Sequence, residues 1–533
     1  MPSTKTRHAA LGLATALAAT LVVGCSPRGQ AQESAPEPLT VRVDSGELRG
    51  IATAKSRQFL GIPYAKPPVG ALRWQLPQPP DKWDGVRDAS RMGPMCPQAA
   101  PGGKPVLTED CLVLNVTTPR AQRPDQKLPV MVWLHGGGFT RDSGNLYDTQ
   151  RMADQGNVIV VTANYRLGVL GYLGLPGLAG SGNFGLADQF AAVEWADRNA
   201  AAFGGDPGNV TVFGQSAGGM STCAMITSPK ARGLIDKAIV SSGSCELNWP
   251  TGSLFPGTPE HGPYVPLAQG VTDGLSAAEK LGCAPGSALE CLRGKTVEQL
   301  MPMMQPFSDH VAYGTDLLPK EPKKALRDGD FAKIPVMSGG VRDEARSFVG
   351  GAIMYNPELI TEKTYPTLLS KAFGARADAV AKEYPIAKYG SAGLAWATVN
   401  SDQSWACQAQ EGHRLLARHT AVFAFEFADE NAPNVNQITV PGLPMGPTHA
   451  SELPSLFELN GVDLLREEPQ RRLGRTMVGY WTRFAHTGDP NHEGAPTWPK
   501  TTDGKQAMRL APGDVTPIDV AASHKCSFWA TAR

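Results

Sequence analysis

The chain has 533 residues, 41% of them hydrophobic and 19% charged, with 50 lysines and arginines against 50 aspartates and glutamates. Its 58 glycines and 45 prolines stay below the roughly 25–30% that marks a low-complexity chain, so a globular protein is expected. The balanced charge offers no field for nucleic acid, which is excluded as a partner.

The amino terminus reads as an export signal. Lys5 and Arg7 lead into an apolar run from Ala9 to Gly24, too short for the roughly 20 residues of a membrane-spanning helix. The run ends Val22-Val23-Gly24-Cys25, which looks like a bacterial lipobox. Residues 1–24 are therefore expected to be a lipoprotein-type signal peptide, with Cys25 lipidated and residues 25–39 forming a flexible tether that lacks large apolar side chains until Leu39. The expected location is a bacterial membrane, facing the periplasm or the cell exterior. Cleavage a few residues later would instead discard Cys25 and release a soluble secreted protein. Removing residues 1–24 leaves 48 basic against 50 acidic residues, so the anchor rather than charge would hold the mature chain at a membrane.

Residues 40–533 read as one α/β catalytic domain. Apolar runs bounded by turn residues at Leu128–Leu134, Val158–Ala163, Val210–Phe213, Ala238–Ser241 and Val422–Phe427 predict buried parallel strands. Between two of them, Phe184–Phe203 carries apolar residues near helical spacing, as a crossover helix requires. Two segments, near 246–330 and 350–420, show no obvious sheet strands. They are expected to be insertions over the carboxyl edge of the sheet, forming a lid or gorge where open α/β folds bind ligands. No paired CxxC or HExxH occurs, and Gly136-Gly137-Gly138 and Gly218-Gly219 lack the GxGxxG spacing, so no metal or cofactor is implied.

The chemistry is carried by Gly214-Gln215-Ser216-Ala217-Gly218, which follows a predicted strand and precedes helix-compatible residues. This is the context of a nucleophile elbow, with Ser216 exposed at a sharp turn. His135-Gly136-Gly137-Gly138-Phe139 ends another buried strand, and the amides of Gly137, Gly138 and Ala217 are the expected oxyanion hole. His135 is read as organising that loop rather than as a base. In this fold the acid and then the base follow the serine, but eight histidines do so here, and order alone does not choose among them.

These motifs, with Gly61-Ile-Pro-Tyr-Ala65, Glu109-Asp-Cys-Leu112, Asn164-Tyr-Arg-Leu-Gly168, Phe203-Gly-Gly-Asp-Pro207 and Phe484-Ala-His-Thr-Gly-Asp-Pro-Asn491, make the chain resemble the type-B carboxylesterases from about residue 40 to 530. That family includes bacterial para-nitrobenzyl esterases and animal cholinesterases. The resemblance implies the α/β-hydrolase fold and serine carboxylesterase activity on small-molecule esters. It makes Glu344, rather than Asp343, the acid of the triad, although Ala345 stands where the family usually has glycine. It makes His449 the base, over His413, His419, His486 and His492. It further implies disulfides Cys96–Cys111, Cys283–Cys291 and Cys407–Cys526, leaving Cys223 and Cys245 either paired or as buried thiols.

Two departures bear on substrate. Gln215 stands where the family often has glutamate, and no aromatic residue lies between Cys96 and Cys111. A site for a cation needs an aromatic face and gains from negative charge, so no preference for choline esters is expected. Trp249, Phe255, Phe307 and Phe348 are candidates for lining the pocket. Acyl transfer to an alcohol on the same triad, or a non-catalytic binding role like that of silent members of the superfamily, are the alternative functions. Oligomeric state is not legible.

Overall fold

In the computed structural model the described residues are 39–99, 103–121 and 126–531. The signal, Cys25 and all of the tether before Leu39 lie outside them.

An 11-stranded mixed sheet organises the chain. In chain order its strands are β1 (Ile51–Ala52), β2 (Ser56–Pro63), β3 (Val113–Pro119), β4 (Leu128–Leu134), β5 (Ile159–Ala163) and β6 (Gly205–Gln215). They continue as β7 (Lys237–Ser241), β8 (Val336–Val341), β9 (Val422–Phe427), β10 (Gln506–Ala511) and β11 (Asp514–Asp519). The spatial order is β11-β10-β9-β8-β7-β6-β4-β5-β3-β2-β1. The block from β5 to β10 is parallel, and antiparallel strands close both edges. This is the α/β-hydrolase fold.

Strand alternation divides the core between the two faces. Val130, Val132 and Leu134 of β4 join Val210 and Val212 of β6 against α1 (Phe184–Asn199), which contributes Leu186, Phe190 and Val193. The intervening Met131 and Trp133 face the other way with Phe213, Phe423 and Phe425, and α2 (Glu468–Thr487) covers them with Met477, Trp481 and Phe484. Both faces are therefore sealed, as a parallel sheet requires.

Of the predicted strands, Leu128–Leu134 and Val422–Phe427 form as expected, two others shift by one residue at their start, and Val210–Phe213 is the inner part of a longer strand, Gly205–Gln215. The crossover helix stops at Asn199 and continues as a short 3-10 turn to Phe203, closed by the left-handed Gly204. The first insertion also holds a small strand pair, Tyr264–Pro266 with Val311–Tyr313. The second is helical and has its own core, including Tyr365, Tyr384 and Trp396, against which Trp529 of the carboxyl-terminal helix Cys526–Thr531 packs.

The resembling motifs have structural tasks. Arg166 makes a bidentate pair with Asp188, both buried, at 2.7 Å from each guanidinium nitrogen involved. Arg73 pairs in the same way with Glu109 and also donates to three carbonyls at 292, 293 and 295, tying the first insertion to the body. Among the described residues four disulfides are present: Cys96–Cys111, Cys223–Cys245, Cys283–Cys291 and Cys407–Cys526. The Cys223–Cys245 pairing, left open by the sequence, joins α3 (Ala217–Thr227) to the start of the first insertion.

Candidate active site

The site forms where β6 turns into α3. Ser216 occupies that turn with φ 55° and ψ −125°, outside the conformations that a non-glycine residue favours. The turn is held from both sides: the Ser216 amide donates to Ser241 O, and Ser216 O accepts from the Met220 amide. It is also why glycines flank the serine. A Cβ on Gly218 would lie 1.9 Å from Leu134 O, and one on Gly214 would lie 2.4 Å from Gly218 C. Neither fits, so the helix start can rest against β4 only without side chains there.

His449 and Glu344 reach Ser216 from separate loops. Ser216 Oγ lies 2.9 Å from His449 Nε2, and His449 Nδ1 lies 2.6 Å from Glu344 Oε2. All three groups therefore form one hydrogen-bonded chain. Glu344 follows β8, is buried, and has its other oxygen fixed by the Val341 amide at 3.1 Å. Asp343 instead faces Arg342 and Arg346 at 2.6 and 3.1 Å. Ala345 sits at φ −82°, so its position demands no glycine in this chain. The loop bearing His449 is tied by Asn436 Nδ2 donating to His449 O at 2.7 Å and by the Ser347 amide donating to Thr448 Oγ1 at 2.7 Å.

Gly137 and Gly138 both have positive φ, 92° and 59°, which turns the chain after β4 toward Ser216. Gly136 confirms the closeness of the two loops, since a Cβ there would be 3.0 Å from Ser216 Cβ. His135 lies beneath, fully buried and stacked on Tyr165 with ring centroids 4.2 Å apart. Burial lowers its pKa and keeps it neutral, and the Tyr165 hydroxyl donates to its carbonyl at 2.7 Å. It supports the loop and does not touch Ser216 Oγ. Of the other candidate bases, His413 is buried away from the serine, and burial holds its pKa down to about 4. His486 bonds Gly156 O at 3.0 Å and His492 bonds Glu493 O at 3.0 Å, both remote from the turn. His419 packs on Phe331.

The aromatic candidates separate. Phe348 packs on His449 with centroids 5.0 Å apart, Phe255 packs on Phe348, and Trp249 is one ring further out. Phe307 is a core residue. Trp405, which sequence reasoning missed, packs directly on His449 at 5.1 Å and stacks with Phe348 at 11°. It lies in a π-helical stretch, Ser401–Ala406, where no helical or strand period marks it. Glu452 was missed too. It is fully buried three residues after His449, and burial first, then the charge of Glu344, push its pKa up to about 8. Its position in Thr448-His449-Ala450-Ser451-Glu452 was the only signal available.

A hydrogen-bonded serine, imidazole and carboxyl chain at a strand-to-helix turn is the arrangement of a serine hydrolase. The carboxylesterase family profile matches residues 37–529. The chain belongs to the carboxylesterase family. It is 34% identical over 507 residues to the para-nitrobenzyl esterase of Bacillus subtilis, covering 89% of this chain and 95% of that one. It is 33% identical over 561 residues to a medium-chain fatty acyl-CoA hydrolase precursor of Anas platyrhynchos, covering 97% and 96%. A solved thermophilic PNB esterase matches with a TM-score of 0.76 and 30% identity, covering 92% of this chain and all of that one. This carboxylesterase is accordingly a serine hydrolase of carboxylic esters.

Proposed function

We propose that Ser216, His449 and Glu344 carry the hydrolysis through an acyl-enzyme. The observation that carries this reading is the unbroken chain from Ser216 Oγ through His449 to Glu344, with contacts of 2.9 and 2.6 Å. His449 Nε2 takes the serine proton as Oγ bonds to the ester carbonyl carbon. The carbonyl electrons move onto oxygen, where the amides of Gly137, Gly138 and Ala217 receive the charge. Each such donor typically lowers the barrier by about 2.7–4 kcal/mol. His449 then gives its proton to the leaving alcohol, and water repeats the sequence to free the acid. Glu344 holds the imidazole by Nδ1 and balances its charge while it is protonated. The test is para-nitrophenyl butyrate hydrolysis by the parent and Ser216→Ala. A loss of several orders of magnitude in a folded variant is expected, and equal rates would overturn the assignment.

We further propose that the enzyme is a bacterial lipoprotein held by Cys25 and facing the periplasm or cell exterior. The support is the charged and then apolar leader ending at Val22-Val23-Gly24-Cys25, together with four disulfides, which persist in oxidising compartments. Among the described residues no helix is long and apolar enough to cross a membrane, so the proposed attachment is the lipid. Metabolic labelling with a radioactive fatty acid should mark the parent and not Cys25→Ala. Equal labelling, or none, would refute the anchor.

A further inference from the structure

The indole that packs on the base is held from the far end of the chain. Trp405 lies in the π-helical turn Ser401–Ala406, between the helices Ala392–Asn400 and Cys407–Leu416. A π-turn is wider than an α-turn and rare, so contacts from outside the helix have to hold it. Two of its residues reach the triad. Ser401 Oγ accepts from the Ala345 amide at 3.0 Å, beside Glu344, and Trp405 packs on His449 with centroids 5.1 Å apart. Ser401 fixes only the first residue of the turn, and the ring lies four residues later.

Asp402 carries the second anchor. Its Oδ2 accepts from the Tyr384 hydroxyl at 2.8 Å, and its Oδ1 lies 2.6 Å from His524 Nδ1. His524 Nε2 lies in turn 2.5 Å from Glu426 Oε2, and Glu426 stands on β9 within the central sheet. All three side chains are buried. With a carboxyl at each nitrogen the imidazole donates from both, which only its protonated form can do. Burial opposes that charge, but the hydrogen bonds to Asp402 and Glu426 outweigh burial and raise the pKa of His524. A buried cation thus clamps the π-turn to the sheet. The disulfide Cys407–Cys526 ties the same two segments, one residue past the turn and two past the histidine.

Packing alone does not immobilise the turn. A cavity of about 40 Å³ lies among Glu344, Trp405, Glu426 and His524, so ring and turn have space to shift once the clamp is cut. We propose that His524 is a positioning residue for the reaction: by joining Asp402 to Glu426 it fixes the π-turn, and through Trp405 it holds the imidazole of His449 where Ser216 needs it. This rests on the triad reading above. The carboxyl-terminal segment, remote in sequence from all three triad residues, is thereby part of the active site's support.

Two substitutions cut the bridge while each keeps one of its contacts. The amide of His524→Gln reaches the place of Nε2 and keeps Glu426, and that of His524→Asn reaches the place of Nδ1 and keeps Asp402. Para-nitrophenyl butyrate hydrolysis is measured for the parent, both variants, Trp405→Ala and the two double variants. Every rate is divided by the chains that a fluorophosphonate titrates to completion, so unfolded protein does not count. A catalytic group displaced by about 1 Å costs up to about 100-fold, so each His524 variant should lose about 10- to 100-fold in kcat. In the Trp405→Ala background the further loss should stay below about threefold, because the ring through which His524 acts is already gone. Either variant suffices if the other does not fold, and if neither does, Glu426→Gln weakens the same link and is read in the same cycle. A loss of threefold or more in the Trp405→Ala background overturns the inference, since His524 would then act by another route. No loss in the parent background overturns it as well. Both results leave the esterase reading intact, which parent activity and its abolition in Ser216→Ala decide separately. A parent that neither turns over nor takes up fluorophosphonate overturns both.

Discussion

Replacing Glu344 by glutamine removes one charge from the centre of the site and almost nothing else. The carboxylate is 2.6 Å from His449 Nδ1, with side-chain exposures of 3% for Glu344 and 9% for the histidine, so solvent screens the pair little. Charges about 4 Å apart at an effective dielectric constant of 20 interact by ~4 kcal/mol, and that is what the protonated imidazole of the transition state would lose. At 1.36 kcal/mol per decade this is about a thousandfold. The tautomer adds to it. The Val341 amide, 3.1 Å from Oε1, would keep the amide oxygen of glutamine on its side and turn the NH2 group toward Nδ1. His449 would then carry its proton on Nε2 and be unable to take the proton of Ser216. A fall in kcat of about 10^3–10^4 is expected, with KM little changed, as found when a triad carboxylate is replaced by its amide. The assay is steady-state para-nitrophenyl butyrate hydrolysis on preparations matched by thermal melting. A loss below about 10-fold, or an equal loss in Asp343→Asn, would refute the role assigned to Glu344.

Three further outcomes follow from the packing. Gly218→Ala should prevent folding or abolish activity, because the added methyl would stand 1.9 Å from Leu134 O; soluble, active protein from that variant would show that the turn is built otherwise. Opening Cys407–Cys526, separated by 119 residues, should destabilise by about 4–5 kcal/mol in the chain-entropy account, about 2 kcal/mol more than opening Cys283–Cys291, separated by 8; equal shifts in urea midpoint for the two double-alanine variants would contradict it. Glu452 titrates at about 8 when folded against an ordinary 4.5, so its contribution is fully present below pH 4.5 and is lost as pH rises through 8. Glu452→Gln should therefore flatten the decline in stability between pH 5 and pH 8.5, and an unchanged slope in urea melts would contradict the assignment.

The parts of the site that sequence made legible are those whose chemistry demands a local pattern. Gly214 and Gly218 are required by backbone approach at the turn, Gly137 and Gly138 by positive φ, and such constraints leave a signature in a few consecutive residues. Glu344 and His449 carry no such local mark and were reached through resemblance. Strand β8 was not among the predicted strands because Val336-Met-Ser-Gly-Gly-Val lacks a β-branched run. Its Gly339 is explained only by the neighbouring strand, since a Cβ there would be 2.1 Å from Phe425 O, and its Gly340 only by the Glu344 carboxyl, which a Cβ would meet at 2.5 Å. Strands β10 and β11 form a hairpin at the sheet edge whose outer strand is half polar, and that gives no buried-strand pattern. Trp405 comes from the second insertion, and its nearness to His449 is a property of tertiary packing alone.

The central claim is that Ser216 becomes acylated, and the direct measurement is the mass of the enzyme itself. The protein should be mixed with para-nitrophenyl butyrate, quenched in acid within milliseconds, and digested for mass spectrometry. One butyryl group per chain is expected on the peptide containing Ser216, with Glu344→Gln accumulating it more slowly and Ser216→Ala not at all. A butyryl group on another residue, or turnover with no acylated chain in a quench series that resolves the first turnover, would contradict it.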